Sequence, residues 1–419
     1  AVFNKSGAGT TTSSSVAFHN AGTLNVDEGR LELNGGGSSS GVFAIDAGTV
    51  LGFGEGPSSF DAASSVTGAG TVEVFGGNPV IFFGGAFSVA GTSISSGVAN
   101  FNQAAATTGT LTLSGGVLSG SGELTVATSF LWTGGRMGGN GTTTIALGAS
   151  LVLSGPGTKE FITPDTAYTE RTLINNGTAQ MSGGQLNMAN GGGANPGARL
   201  INNGVFTVSD GADIVYTGFG NGLGPAAIVN SVGAVFNKSG AGTTTSSSVA
   251  FSNAGTVNVN GGTLDLNGGF TQTAGSIELA GGALSTNGTL DFTGGALSGS
   301  GTITGNVNNS GAAVEPGGRG AAGTLTITGN YTQSGGAIMV EIGGTGAGQF
   351  DVLSVGGTAS PGGTLNGTLI NGFTPESGAF FTVLTANSRS GTFAAVTGLL
   401  AAQYDATSVM LVASATTMV

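Results

Sequence analysis

Residues 1–36 return almost unchanged at residues 234–269, with thirty of the 36 positions identical. The six differences are His19/Ser252, Leu24/Val257, Asp27/Asn260, Glu28/Gly261, Arg30/Thr263 and Glu32/Asp265. Five alter polar positions and one exchanges two aliphatics, while Val26, Leu31 and Leu33 keep Val259, Leu264 and Leu266 as counterparts. A strand with one buried and one wet face has this tolerance, because its side chains alternate with period two. A shorter unit runs through the chain: Gly, a small residue, then apolar, any, apolar. It reads GTLNV at Gly22, GTVEV at Gly70, GTLTL at Gly109, GELTV at Gly122, GVFTV at Gly204 and GTVNV at Gly255. It then recurs at an even step through Gly262, Gly275, Gly288 and Gly301. Each copy predicts a short strand opened by a turn glycine. An apolar-x-Asn-x-Gly signature centred on Asn20, Asn175, Asn202, Asn253 and Asn309 predicts corner asparagines whose amides stack from coil to coil.

Composition removes the competing classes. Glycine accounts for 84 of 419 residues, but without a Gly-X-Y period and with nine Pro this is not collagen. The chain has no Cys, which excludes disulfide scaffolds and thiolate metal sites. Disorder is the next candidate for a Gly/Ser/Thr-rich chain, yet 39% of the residues are hydrophobic and fall in short alternating groups, which argues for order. A net charge of −12 and a pI near 4.2 disfavour nucleic acid and anionic lipid as partners. No apolar stretch approaches the roughly 20 residues of a transmembrane helix. The chain opens inside a repeat and without a signal-like segment, so a processed product is expected.

The i, i+3, i+4 spacing of helices is absent, and small residues sit at nearly every turn. This predicts an all-β fold, a parallel β-helix or β-solenoid, with coils of roughly 20 to 26 residues stacked about 4.8 Å apart. The repeats suggest a first array over 1–233, a second over 234–314 and a region of different texture over 315–419. Phe350, Phe373, Phe380, Phe381, Phe393 and Tyr404 give that last region the denser apolar load expected of a cap.

Residues 315–412 resemble the C-terminal passenger region of bacterial autotransporters and related filamentous-haemagglutinin-like proteins. The matching pieces are PGG at Pro316, the strand 323–328, GNYTQSGG at Gly329, MVEIGGTGAGQFDVLSV over 339–355 and LINGFTPESGAFFTVL over 369–384. The resemblance implies a right-handed parallel β-helix ending in wider, capped coils that support folding from the C-terminus. It departs from that family in that residues 1–419 include no outer-membrane barrel, so self-secretion and anchoring are not among the expectations carried over.

Enzymatic chemistry on this architecture, as in the polysaccharide lyases and hydrolases that share it, requires clustered carboxylates. Lys159, Glu160, Asp165, Glu170 and Arg171 form the densest group and read as a solvated loop with local ion pairs rather than a substrate loop. Asp27, Glu28, Arg30 and Glu32 read as a solvated strand face, because the second copy loses three of the four charges. His19, the single histidine, is replaced by Ser252 in its copy and reads as a surface residue. Asp210 and Asp213 read as a turn, and the loop GNGLG near Gly220 precedes no helix and so lacks a phosphate-binding nest. No metal, cofactor or catalytic residue is expected. Trp132 and Arg136 are the candidate ligand contacts, Trp132 as a sugar platform or, more simply, as an aromatic sealing a coil. The Thr runs 10–12, 142–144 and 243–245 raise an ice-binding face as a lesser alternative, set back by the distance between the runs.

The expectation is a secreted bacterial surface or extracellular-matrix structural protein. It is a rigid rod, an adhesin stalk or fibre subunit, whose partners are its own copies or a surface polysaccharide or cell surface. The alternative is a polysaccharide-active enzyme or a carbohydrate-binding adhesin.

Overall fold

Alternation of apolar and polar residues is realised as alternation of burial. In Thr23–Val26 the side chains of Leu24 and Val26 are buried, and in Arg30–Leu33 those of Leu31 and Leu33. The computed structural model of the chain describes residues 1–9, 11–103, 105–161, 171–189, 197–209, 211–216, 226–247 and 249–413. Among these the fold is all-β and mostly parallel, consistent with a β-solenoid, and no helix is long and apolar enough to cross a membrane.

Two units divide the chain. In the first, Ala1–Phe206 with Gly211–Ile228, each strand pairs in parallel with a strand one coil further on. Val2 pairs with Thr23 and Thr23 with Val42, which sets the length of a coil. Three columns of strands result. One runs from Val2–Lys5 through Thr23–Val26 and Val42–Ile45 to Thr172–Asn175 and Arg199–Asn202. The second runs from Thr11–Ser14 through Arg30–Leu33 and Val50–Phe53 to Ser150–Leu153 and Thr178–Met181. The third runs from Gly37–Ser39 through Ser58–Phe60 and Val80–Phe83 to Gly184–Met188 and Ala212–Tyr216. A coil of this unit therefore carries three strands, and inward side chains from each side meet at the centre.

The second unit comprises Thr207–Asp210 and Val229–Val419. Val235 pairs with Thr256, Thr256 with Ser276 and Ser276 with Ala296. These spans are longer than the even glycine step from Gly262 to Gly301, so that step is not the coil length. Ser276–Phe292 and Ala296–Asn309 run across successive sides as single strands with register shifts at the corners. Phe380–Arg389 and Leu400–Tyr404 pair antiparallel with Ser408–Ala413. Residues 234–314 and 315–413 lie in this one unit.

Aromatic rings pack in both units. In the first unit Phe60 stacks on Phe83 at 5.3 Å and Phe83 on Phe101 at 5.1 Å, with Phe43, Phe53 and Phe87 edge-on around them. At the C-terminal end Phe381 and Phe393 are buried, Phe350 and Phe373 are half-buried and edge-on to Phe381 at 5.6 and 6.0 Å, Tyr404 is half-buried and Phe380 is 66% exposed.

Candidate functional site

The corner asparagines are interior groups. Asn175, Asn202, Asn253 and Asn309 are buried, whereas Asn20 is half-buried, and its amide donates to the Val42 carbonyl at 3.1 Å. In each of Asn20, Asn175, Asn253 and Asn309 the Oδ1 accepts the backbone N–H of the glycine two residues on, at 2.9 to 3.2 Å. The amide nitrogen then donates into the next coil: Asn175 to Asn202 Oδ1 at 2.8 Å, and Asn253 to Gln272 Oε1 at 3.0 Å. Buried Asn230 belongs to the same ladder, donating to Asn253 Oδ1 at 2.9 Å. The repeat signature overlooks it because its glycine, Gly233, comes three residues later instead of two.

Glycines of the same signature do a job that turn geometry does not explain. Gly22, Gly177, Gly204, Gly255 and Gly311 lie outside the left-handed region. A Cβ at each would fall 2.0 to 2.4 Å from a carbonyl oxygen of the preceding coil. They are spacers that let one coil settle on another.

Trp132 is completely buried, parallel to Phe130 at 5.9 Å and edge-on to Phe161 at 5.4 Å. A sugar platform needs an open ring face, so Trp132 is a core residue and not a ligand contact. Arg136 projects outward and pairs with Glu160 at 2.5 Å.

Two members of the group around Glu160 are not solvated. Lys159 is buried, with Nζ on the carbonyls of Gly155 and Gly157 at 3.2 and 2.9 Å, and burial lowers its pKa. Arg171 is buried as well, its guanidinium donating to Thr143 Oγ1 and to the Gly120, Gly122 and Thr142 carbonyls. Burial pulls its pKa down to about 9. Asp165 and Glu170 lie outside the described residues, as do Asp210, Thr10 and the loop at Gly220. Alternation in Lys159–Phe161 sends Lys159 inward and Glu160 outward, which proximity in sequence conceals.

Arg30 bridges Glu32 at 2.7 Å and Glu73 from two coils further on, and lies 4.8 Å over the Phe75 ring. Glu28 accepts the Gly7 N–H at 2.9 Å. The strand face expected to be solvated thus carries a bridged cation. His19 is exposed, its Nδ1 2.9 Å from Ser38 Oγ. Asp213 is half-buried in Ala212–Tyr216, opposite Gln185. Thr144 ends a column of outward hydroxyls formed by Thr67, Ser88, Thr107 and Thr125, drawn from different sequence runs. On the same side of these strands Ala86 and Glu123 interrupt the adjacent column.

Carboxylates converge in the second unit, where the sequence shows no cluster. Glu315, Glu341 and Asp351, with Arg319, line a cavity of about 170 Å³. Asp351 is buried. Its Oδ1 accepts the Gly323 N–H and its Oδ2 the Glu341 N–H, both at 2.8 Å. Glu341 Oε2 accepts the Gly320 N–H at 2.7 Å, and Glu315 meets exposed Arg319 at 3.4 Å. Burial pushes the Asp351 carboxyl up to about 7 against those two hydrogen bonds, and the charges of Glu341 and Glu315 add to the rise. Each acid is engaged with a neighbouring segment, so the cluster works as a clasp on the loop 316–323. Among the described residues no group of three His, Cys, Asp or Glu is placed to hold a metal ion. The three acids come from separate stretches of the chain, and no local motif announces them. No family model matches the chain, and no curated protein matches it.

Proposed function

We propose that this chain is a secreted structural protein of the bacterial surface or extracellular matrix, a right-handed β-solenoid rod that serves as adhesin stalk or fibre subunit and ends in a C-terminal cap. The passenger-like segment over 315–412 supports the family and the handedness, and the antiparallel strands over 380–413 support the cap. The observation that carries the reading is how the interior polar groups are used. The buried Asn ladder, Lys159 and Arg171 and the Asp351 clasp all tie coil to coil or loop to strand. Such bonds give rigidity to a chain with one glycine in five residues.

Head-to-tail stacking is part of the proposal. In the column Phe3, Leu24, Phe43 the last two are buried and Phe3 is 43% exposed, the kind of apolar coil face that a coil of a neighbouring copy would cover. Electron microscopy and light scattering across a dilution series test it. Concentration-dependent particles growing in length are expected, and monodisperse monomers at high concentration would count against assembly.

A second reading, a polysaccharide-active enzyme, is favoured by one observation, the three acids around the 170 Å³ cavity. Incubation with acidic and neutral polysaccharides decides between the two. Saturable turnover abolished by Glu341→Gln would establish the enzyme and sink the structural reading.

A further inference from the structure

Three successive strands of the second unit present an outward array two residues wide. Thr289 and Asp291 flank buried Leu290, Asn306 and Asn308 flank buried Val307, and Asn330 and Thr332 flank buried Tyr331. Register places Thr289 beside Asn306, and Asp291 beside Asn308 and then Thr332. The Asn330 N–H donates to Asn306 Oδ1 at 2.9 Å, which completes the column that starts at Thr289. These side chains line an open groove of about 550 Å³. Strand geometry spaces its rows about 4.8 Å apart and its two columns about 6.6 Å apart.

Part of the array's hydrogen-bonding capacity is used by the fold and part remains. Asn306 and Asn330 each spend Oδ1 on the backbone N–H of the next coil, at 2.9 and 2.8 Å, which leaves both Nδ2 groups as outward donors. Asn308 Nδ2 donates to Asp291 Oδ1 at 3.0 Å, which orients that carboxylate as an acceptor. Thr289 and Thr332 add exposed hydroxyls that both donate and accept. Beyond Thr332 the same columns continue as Thr358 and Ser360, whose hydroxyls meet those of Ser388 and Ser390 at 2.8 and 3.0 Å.

The lining restricts the ligand. Among the described residues it contains no cation, and Asp291 is its charged group, so an anionic chain is repelled on a molecule of net charge −12. Its aliphatic residue, Val307, is buried, so an apolar ligand gains little area. An extended peptide is recognised at a strand edge, not across a face. A polyhydroxylated chain fits, since its hydroxyls donate and accept as the groove does, and a sugar unit is on the order of 5 Å long, close to the strand spacing.

We propose that this groove binds a linear neutral glycan lying across the strands, one sugar per coil, held by Asn306, Asn308, Asn330, Asp291 and Thr332. The inference rests on the structural reading above only in that the glycan is held and not cut. Each contact replaces a bond to water, and the lining residues offer no aromatic platform, so the affinity of one groove is modest and grows with the number of sugars engaged.

Calorimetric titration of the full chain with cellohexaose, mannohexaose, xylohexaose and hexagalacturonate tests the proposal. At least one neutral hexasaccharide is expected to bind saturably at millimolar concentration, with the acidic one silent. Asn308→Ala and Thr332→Val, both on the outer face, are each expected to weaken binding about tenfold, the effect of one lost hydrogen bond. Thr125→Val, on an outer face of the first unit, should leave binding unchanged. Silence with all three neutral sugars, or binding that neither groove variant alters, overturns the proposal. Thermal hysteresis without sugar binding would reassign the array to ice. Chain-length analysis of the recovered sugar separates the two readings: intact sugar keeps both, whereas shortened sugar ends the structural reading and leaves the groove standing.

Discussion

At the scale of single residues, glycines that look alike in sequence perform different work. Gly177 and Gly288 each open a copy of the short strand unit, and neither has a left-handed φ. A methyl group on Gly177 would lie 2.0 Å from the Ala149 carbonyl oxygen, whereas one on Gly288 would meet nothing closer than 3.9 Å. Gly177→Ala is therefore expected to destabilise the first unit by about 3 kcal/mol, because backbone on backbone cannot yield as a side chain does. Gly288→Ala should be neutral or slightly stabilising, through a less flexible unfolded chain. Trp132 reports unfolding of the first unit and circular dichroism that of the second; equal effects of the two variants would refute the spacer role. Asp351 supplies a second residue-scale prediction. Its carboxyl is raised from 3.8 to about 7 in the fold, so the folded state holds a proton that the unfolded state has released. Its contribution is fully present below about pH 4 and is lost as pH rises toward 7. The melting temperature of the second unit should fall across that interval, and Asp351→Asn should flatten the slope. An unchanged slope in the variant would assign the pH dependence to other groups.

Among elements, the buried amide ladder joins one side of successive coils. Asn253 accepts from Asn230 and from the Gly255 N–H and donates to Gln272, so Asn253→Ala takes the acceptor from the Gly255 N–H and the donor from Gln272 Oε1, while Asn230 Nδ2 keeps its bond to the Thr256 carbonyl. The expected cost is about 3 kcal/mol, larger than that of an ordinary hydrogen bond, because two desolvated groups lose their bonds together. Asn253→Ala and Gln272→Ala should also be strongly non-additive, since the second removes a group that the first has already orphaned. A double-mutant cycle by chemical denaturation measures the coupling; additive losses would show that the amides act independently. Most of this ladder could be read from the sequence, because the glycine spacing of the signature marks Asn175, Asn202, Asn253 and Asn309. Asn230 and Gln272 could not. A ladder position is defined by the residue one coil away, and neither of these two carries the signature.

Across the whole chain, the sparse charge is used inside as well as outside. The sequence contains three lysines, and Lys5, Lys159 and Lys238 are all buried. Lys5 and Lys159 each cap backbone carbonyls at a corner, and Lys238, the repeat counterpart of Lys5, does the same with Ser239 and Gly240. Acetylation of the folded protein with an amine-reactive ester should leave the lysines unmodified, and labelling after denaturation should modify all three. Mass spectrometry of peptides distinguishes the two states, and rapid labelling of Lys159 in the folded protein would contradict its burial. Resistance to cleavage after lysine should follow from the same packing.

Local sequence was enough to set the class of fold: period-two alternation, small residues at the corners and a near-exact repeat leave parallel stacked strands as the way to bury so thin an apolar stripe. It was also enough for the exclusions that rest on charge and on the lack of cysteine. Packing of the coils settled the remainder. It set three strands per coil in the first unit, turned Trp132 and Lys159 inward, and gathered Glu315, Glu341 and Asp351 from separate segments around one cavity. It also aligned the two polar columns of the groove in the second unit. The physical reason is common to all of these. The order of residues within a strand governs which of its faces is wet, but a neighbour one full coil away governs what each side chain meets, and register with that neighbour is a property of the stacked coils.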